Sequence, residues 1–208
     1  MMRLRKILAP MVLALLMFAV PESAPRAPAA EAVTAPSLAG QLIVAAPGIG
    51  DPRFEGAVIL MIHQAADGAF GIVINHQITS RPWADLLKAL GEDPAGAAGM
   101  ARIFSGGPVQ PEIGLIIHSA EYRDARTMAI NARISVTSDS ALLRAIATGT
   151  GPKQSLIAFG YAGWGPGQFE DEIAHNDWYA APADPALIFD ADRDTVWQRA
   201  YDRRTLRL

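Results

Sequence analysis

Two apolar, β-rich runs, Ala57 to His63 and Ala69 to Asn75, are joined through AADG. Asp67 and Gly68 are residue types that accept positive φ, so the runs are expected to fold back on each other as a tight hairpin. That expectation is restrictive. A hairpin puts antiparallel neighbours into the sheet and conflicts with the strand, helix, parallel strand order of a doubly wound nucleotide-binding fold.

The flanking segments fill in a mixed architecture. QLIVAAP reads as a strand ending at Pro47, and GIGDPRF as a strand-exit turn with an Asp51-Pro52 local cap. Pro82 to Leu90 places Trp83, Leu86, Leu87 and Leu90 on one helical stripe, with Pro82 at a tolerated first-turn position and Gly91 as the stop. Arg102 to Phe104, Gly114 to His118 and Ser155 to Phe159 read as strands, and Ala129 to Thr137 contains an extended segment. Ser138 or Asp139 is expected to cap a helix carrying Leu142, Leu143 and Ile146. A last helix holds Val196, Trp197 and Tyr201. Antiparallel hairpins interleaved with helices define an α+β class. With 208 residues, half of them hydrophobic and 19% charged, the chain can bury the core of one domain and still carry extra segments.

The N-terminus differs in composition. Arg3, Arg5 and Lys6 precede an apolar run from Ile7 to Val20 and then PESAPRAPAAEA, the order of an export signal. The run is shorter than the roughly 20 residues of a membrane span. We therefore expect an export-like segment at 1–29, a linker at 30–37, one domain at 38–208 and no integral membrane domain. The protein is expected to be exported or periplasmic if the segment acts as a signal, with the cytoplasm as the alternative.

Charge narrows the partners. Residues 1–29 hold Arg3, Arg5, Lys6 and Arg26 against Glu22, so the remainder keeps 14 of the 18 basic and 20 of the 21 acidic side chains, a formal charge of −6. Such a domain repels phosphate backbones unless its cations are gathered on one face. The gathering at Arg199, Arg203, Arg204 and Arg207 suits the negative end of a terminal helix. A protein or small-molecule partner is favoured over nucleic acid. The absence of cysteine excludes disulfides, thiolate metal sites and cysteine nucleophiles.

Four constellations invite a chemical reading. The stretch GYAGWGPGQFEDEI, Gly160 to Ile173, has the form of a glycine-rich turn feeding a helix, which could cradle phosphate. Glu170, Asp171 and Glu172 would occupy that helix's first turn and repel an anion, so the glycines are assigned to close packing beneath Tyr161 and Trp164. GIGD has the first two glycines of a dinucleotide fingerprint, but Arg53 stands where the third belongs and a hairpin follows. Ser105, with Gly106 and Gly107 beside it, has the elements of a nucleophile and oxyanion site, but the GxSxG elbow is missing. The histidines lack HxxxH or HxxH spacing; in the expected hairpin His63 pairs near residue 72 and His76 near 59, roughly 13 Å apart. No catalytic set, metal site or cofactor is assigned.

The blocks LAGQLIVAAPGIGDPRFEGAVILMIHQAADGAFGIVIN, FSGGPVQPE with GLIIHS, FGYAGWGPGQFEDEI and NDWYAAPA together resemble the YqgE/AlgH family of bacterial proteins, in the family's order and over residues 37 to 200. The resemblance implies a mixed, largely antiparallel bifurcated sheet, part of it closed into a small barrel, surrounded by helices. It implies no established enzymatic activity and carries the label of transcriptional regulator. The export-like start departs from the family, whose members generally begin near the LAGQLL block. The expected function is a non-enzymatic binding or regulatory protein. Its working surface is built by the turns 47–54, 105–112 and 160–168, with Pro47, Gly48, Asp51, Arg53, Ser105, Gly106, Gly107, Gly163, Trp164 and Gly165 as ligand-binding candidates. A small hydrolase using Ser105, or a DNA-binding regulator if the export segment is unused, are the alternatives.

Overall fold

The computed structural model describes residues 37–190 and 192–205. The export-like segment, most of the linker and Arg207 lie outside the described residues. In chain order the elements are β1 (Leu42–Ala45), a 3-10 turn (Pro52–Phe54), β2 (Val58–Ala65), β3 (Gly68–Val73), β4 (Gln77–Pro82), α1 (Trp83–Ala89), β5 (Met100–Ser105), β6 (Val109–Ser119), β7 (Met128–Ala129), β8 (Ile134–Thr137), α2 (Ser140–Ala147), β9 (Ser155–Trp164), α3 (Gln168–Ala174), β10 (Trp178–Ala181), α4 (Pro185–Ile188) and α5 (Val196–Asp202).

The sheet runs β10-β1-β2-β3-β9-β6-β8-β7, antiparallel throughout, and β4 and β5 join it through a parallel pairing of β5 with β9. It is bifurcated along one edge of β9, where Ile157 to Phe159 pair with Ile103 to Ser105 of β5, and Ala162 to Trp164 pair with Ala69 to Gly71 of β3. Gly106 sits in the crotch of this fork. Its N–H donates to Phe159 O at 2.7 Å and its carbonyl accepts Val73 N–H at 2.9 Å, which ties both limbs together.

The sheet curls into a half-barrel, and both of its faces are covered except along the exposed strand β4 and the two-residue β7. One face of β1, β2, β3, β6, β8 and β9 shares a core with Leu187 and Ile188 of α4 and Val196 and Ala200 of α5. On the opposite face, the limb containing β1, β2 and β10 packs against Phe169 of α3. The limb containing β5, β6 and β9 packs against α1 and α2 through Trp83, Leu86, Leu87, Leu142 and Leu143. Double coverage explains why Leu42, Ile43, Val44 and Ala45 are all fully buried, and why QLIVAAP reads as a continuous apolar run rather than an alternating one. Burying a side chain the size of Phe169 completely contributes about 2–3 kcal/mol.

The hairpin forms, with a shifted register. Ala65 stands opposite Gly68, so the turn is Ala66-Asp67, and His63 pairs with Phe70 instead of residue 72. An irregularity between Met61 and His63 changes the ladder again, so that Ile59 faces Val73, and His76 lies beyond the hairpin with its carbonyl accepting Ser105 N–H. Asp139 caps α2 by accepting Ala141 N–H, and Asp51 caps the 3-10 turn by accepting Arg53 N–H. Leu90 departs from its expected stripe: α1 ends at Ala89, and Leu90 is 41% exposed. The glycine-rich stretch departs further, because Gly160 to Trp164 continue β9 as strand and the turn proper is confined to Gly165, Pro166 and Gly167.

Candidate functional site

Two of the three expected turns owe their position to the fork. At the fork, main chains touch where a side chain would not fit. A Cβ on Gly106 would lie 2.2 Å from Gly160 O, one on Gly107 2.1 Å from Tyr161 C, and one on Gly160 2.5 Å from Gly107 O. This contact carries Pro108 and Val109 across β9 and presents them beside Gly163 and Trp164. The turn after β1 approaches from the other side, held by the Asp51 cap. Residues of all three turns line one cleft of about 320 Å³, together with Glu172, Asp177 and Trp178.

The cleft wall is aromatic and acidic. Phe54 lies parallel to Trp164 with ring centroids 6.4 Å apart, and Trp178 meets both edge-on, at 5.5 Å from Phe54 and 5.8 Å from Trp164. Glu172 fixes the two indoles: Trp164 Nε1 and Trp178 Nε1 donate to its Oε2 at 2.7 and 2.8 Å. Its Oε1 accepts Gln168 Nε2 at 2.9 Å, and Gln168 Oε1 accepts Gly165 N–H at 3.1 Å. Glu170 and Asp171 occupy the first turn of α3 as expected, whereas Glu172 points inward as an acceptor. A buried indole N–H needs such a partner, since leaving one unsatisfied costs about 1–3 kcal/mol.

The charges in the cleft are unequal. Arg53 Nε donates to Asp51 Oδ1 and Oδ2 at 3.0 and 3.1 Å, and Nη2 to Oδ2 at 2.5 Å. These hydrogen bonds hold the Asp51 carboxyl below its ordinary range and raise the guanidinium above its own. The Asp51–Arg53 pair is thus internally neutral, leaving Glu172 and Asp177 as uncompensated charges. The oxygens of Glu172 are engaged by the indoles and Gln168. The Asp177 carboxylate has no hydrogen bond or ion pair among the described residues.

A second, shallower cleft of about 380 Å³ abuts the first and shares Val109, Gly163 and Trp164 with it. It is bounded by Phe70, by Tyr161 with its ring edge-on to Phe70 at 5.8 Å, and by His63, whose Nε2 lies 3.1 Å from Asp67 Oδ1.

Of the ten expected contact residues, Asp51, Arg53, Gly163 and Trp164 line the first cleft. Gly165 adjoins it through its bond to Gln168. Pro47 and Gly48 form an exposed turn outside it, and Ser105, Gly106 and Gly107 lie in the fork beneath. Glu172, Asp177 and Trp178 were not anticipated. The NDWY sequence carries an acid and an aromatic side by side, but nothing local shows that they face Trp164.

The main chain beside Ser105 is tied into the fork. The Ser105 hydroxyl makes no hydrogen bond among the described residues, and the Gly106 N–H that could serve an oxyanion is already donated to Phe159. His76 is pushed to a lower pKa by burial, and the bond that opposes this shift runs to the Glu55 backbone, away from the serine hydroxyl. Among the described residues no histidine and carboxylate group has the form of a metal site. The C-terminal cations are also engaged internally. Arg199 pairs with Asp190 at 2.5 Å, Arg203 pairs with Asp184 at 2.7 Å, and Arg204 lies 3.9 Å from the Tyr201 ring centroid. No described helix is long and apolar enough to cross a membrane.

One further charge went unforeseen. Arg193 is 9% exposed and donates from Nη1 to the carbonyls of Ile188, Ile74 and Leu187 at 3.0, 3.3 and 3.4 Å, closing the end of α4 onto β3. Burial first, and Arg102 second, lower its pKa to about 10, so it stays charged at neutral pH.

Comparison with known proteins agrees with this architecture. The model of an AlgH-like family, DUF179, matches residues 42–208. A UPF0301 protein of Rhodospirillum rubrum is 40% identical over 153 residues, covering 74% of this chain and 80% of its own. One from Chelativorans is 43% identical over 171 residues, covering 78% and 84%. The solution structure of the AlgH protein from Pseudomonas aeruginosa superposes with a TM-score of 0.67 at 34% identity, over 80% of this chain and 88% of that one. A Corynebacterium diphtheriae protein, at 22% identity and a TM-score of 0.64 over 80% of this chain and 87% of its own, shares the fold.

Proposed function

The chain belongs to the AlgH-like family, and on that premise we propose that it is a non-enzymatic binding protein whose working surface is the paired cleft around Gly163 and Trp164. The observation that carries this reading is convergence. Three turns distant in sequence, fixed by the fork, the Asp51 cap and the Glu172 clamp, open onto one aromatic wall. Rigid main-chain turns beside aromatic side chains suit recognition, whereas the hydroxyl of the one candidate nucleophile, Ser105, has no hydrogen bond to a base among the described residues and the Gly106 N–H beside it is already donated to Phe159.

The regulatory role that the family label suggests would then be exercised through a bound partner or ligand, with direct contact to DNA disfavoured by charge. The export-like segment would place this activity outside the cytoplasm, and N-terminal sequencing after cell fractionation is expected to find a product starting near Ala30. The binding surface itself is tested by backbone amide shift mapping of the full chain against a panel of small cations, anions and neutral compounds. Perturbations are expected to cluster on Asp51, Phe54, Gly163, Trp164 and Trp178. A panel that shifts the Arg199 to Arg204 face instead would overturn the proposal.

A further inference from the structure

We propose, resting on that reading, that the paired cleft takes a linear aliphatic diamine, one ammonium group at each end and the hydrocarbon laid across Gly163. The first cleft supplies one terminus. Its net charge is negative, its one carboxylate without a hydrogen bond or ion pair among the described residues is that of Asp177, and Trp164, Trp178 and Phe54 provide ring surface that attracts a cation. The protein already places a cation near this wall, with the Arg53 guanidinium 5.9 Å from the Phe54 centroid. The second cleft supplies the other terminus at Asp67, which lies in the same lining as Phe70 and Tyr161 and whose carboxylate is exposed and bonded through Oδ1 alone to His63 Nε2. An anionic ligand would meet Glu172, Asp177 and Asp67 with no unpaired cation on the lining to receive it.

The floor between the two ends is shaped for a chain of methylene groups. Val109 and Trp164 flank Gly163, and a Cβ at 163 would already lie 3.3 Å from Tyr161 Cε2 and 3.6 Å from Val109 Cγ2. A larger side chain there would fill the trough that connects the clefts. Gly163 is exposed and its φ is not positive, so the backbone accepts a substituent.

The test is a titration of the full chain, followed by tryptophan emission and calorimetry, with putrescine and cadaverine against butylamine, succinate and a short lysine peptide. The diamines are expected to give saturable binding, and butylamine binding weaker by about tenfold or more, because one terminus is lost. Asp177→Asn and Asp67→Asn should each weaken diamine binding by about tenfold, and Gly163→Leu should abolish it while the thermal unfolding midpoint stays within about 4 °C of wild type. Equal affinity for butylamine and the diamines, tighter binding of the lysine peptide, or an unchanged response in Asp177→Asn overturns the diamine assignment. Saturable binding of succinate that Gly163→Leu removes would overturn the diamine and keep the cleft. Wild-type diamine binding by Gly163→Leu would remove both.

Discussion

Two groups of glycines meet at or just beyond the second half of β9 and are used in opposite ways. Gly106, Gly107 and Gly160 meet at the fork, where an added Cβ would collide with main-chain atoms at 2.1 to 2.5 Å. Gly163, Gly165 and Gly167 follow immediately, yet their nearest obstacles are the Tyr161 ring edge at 3.3 Å, Gln168 Oε1 at 3.9 Å, and nothing within 4 Å. The first group lets two strands touch and fixes the branching of the sheet. The second leaves a trough open and turns the chain into α3. Glycine content alone does not distinguish a structural contact from an open surface; what a methyl group would meet does.

The sharpest way to break this comparison is Gly107→Ala. Its φ of 145° is costly for an alanine, and the new Cβ would overlap Tyr161 and Ala162 backbone that is held in the ladder on both sides. A loss above about 4 kcal/mol is expected, a large fraction of the roughly 5–15 kcal/mol by which a domain is stable. Urea denaturation measures it. A midpoint close to wild type would show that the fork can yield, and the distinction between the two groups would collapse.

Next in size is Glu172→Ala, which probes what holds the open group in place. Removing the carboxylate strands the N–H groups of Trp164 and Trp178, at about 1–3 kcal/mol for each. We expect a total loss of about 2–6 kcal/mol, with Glu172→Gln losing less because its carbonyl oxygen still accepts. Tryptophan emission should change in both variants, since both indoles exchange a charged partner for a neutral one or for water. Unchanged stability in Glu172→Ala would mean that packing against Phe54 and Phe169 positions the indoles without the clamp.

Which parts of this were legible in the sequence follows from the range over which each signal acts. The hairpin, the Asp139 cap and the start of α3 depend on neighbours in sequence, and all three are found. The register of the hairpin was missed by two residues because Ala66 rather than Gly68 occupies the turn. β4 was not foreseen: Gln77, Thr79, Ser80 and Arg81 are polar, Ile78 is 61% exposed, and a strand with no buried face shows no alternation. β10 was too short to announce itself. The three turns of the candidate site were identified from their backbone character, whereas Glu172 reads as one more acid in a helix's first turn. Its inward direction depends on Trp164 and Trp178 arriving from different strands, and Arg193 escaped for the same reason, since its carbonyl partners come from α4 and from Ile74, just past the end of β3.

The smallest effects belong to Gly167→Ala and Gly165→Ala, and their difference separates backbone conformation from space. Gly167 has φ 76° and no atom within 4 Å of the point a methyl group would occupy, so alanine there costs only the left-handed conformation, about 1–2 kcal/mol. Gly165 does not have a positive φ and meets only Gln168 Oε1 at 3.9 Å. Alanine at 165 should therefore change stability by no more than about 0.5 kcal/mol, with the reduced freedom of the unfolded chain acting in its favour. Thermal unfolding of the two variants side by side measures the gap. If Gly165→Ala proves as damaging as Gly107→Ala, the turn before α3 is under steric constraint after all, and the line drawn between the fork and the open trough is in the wrong place.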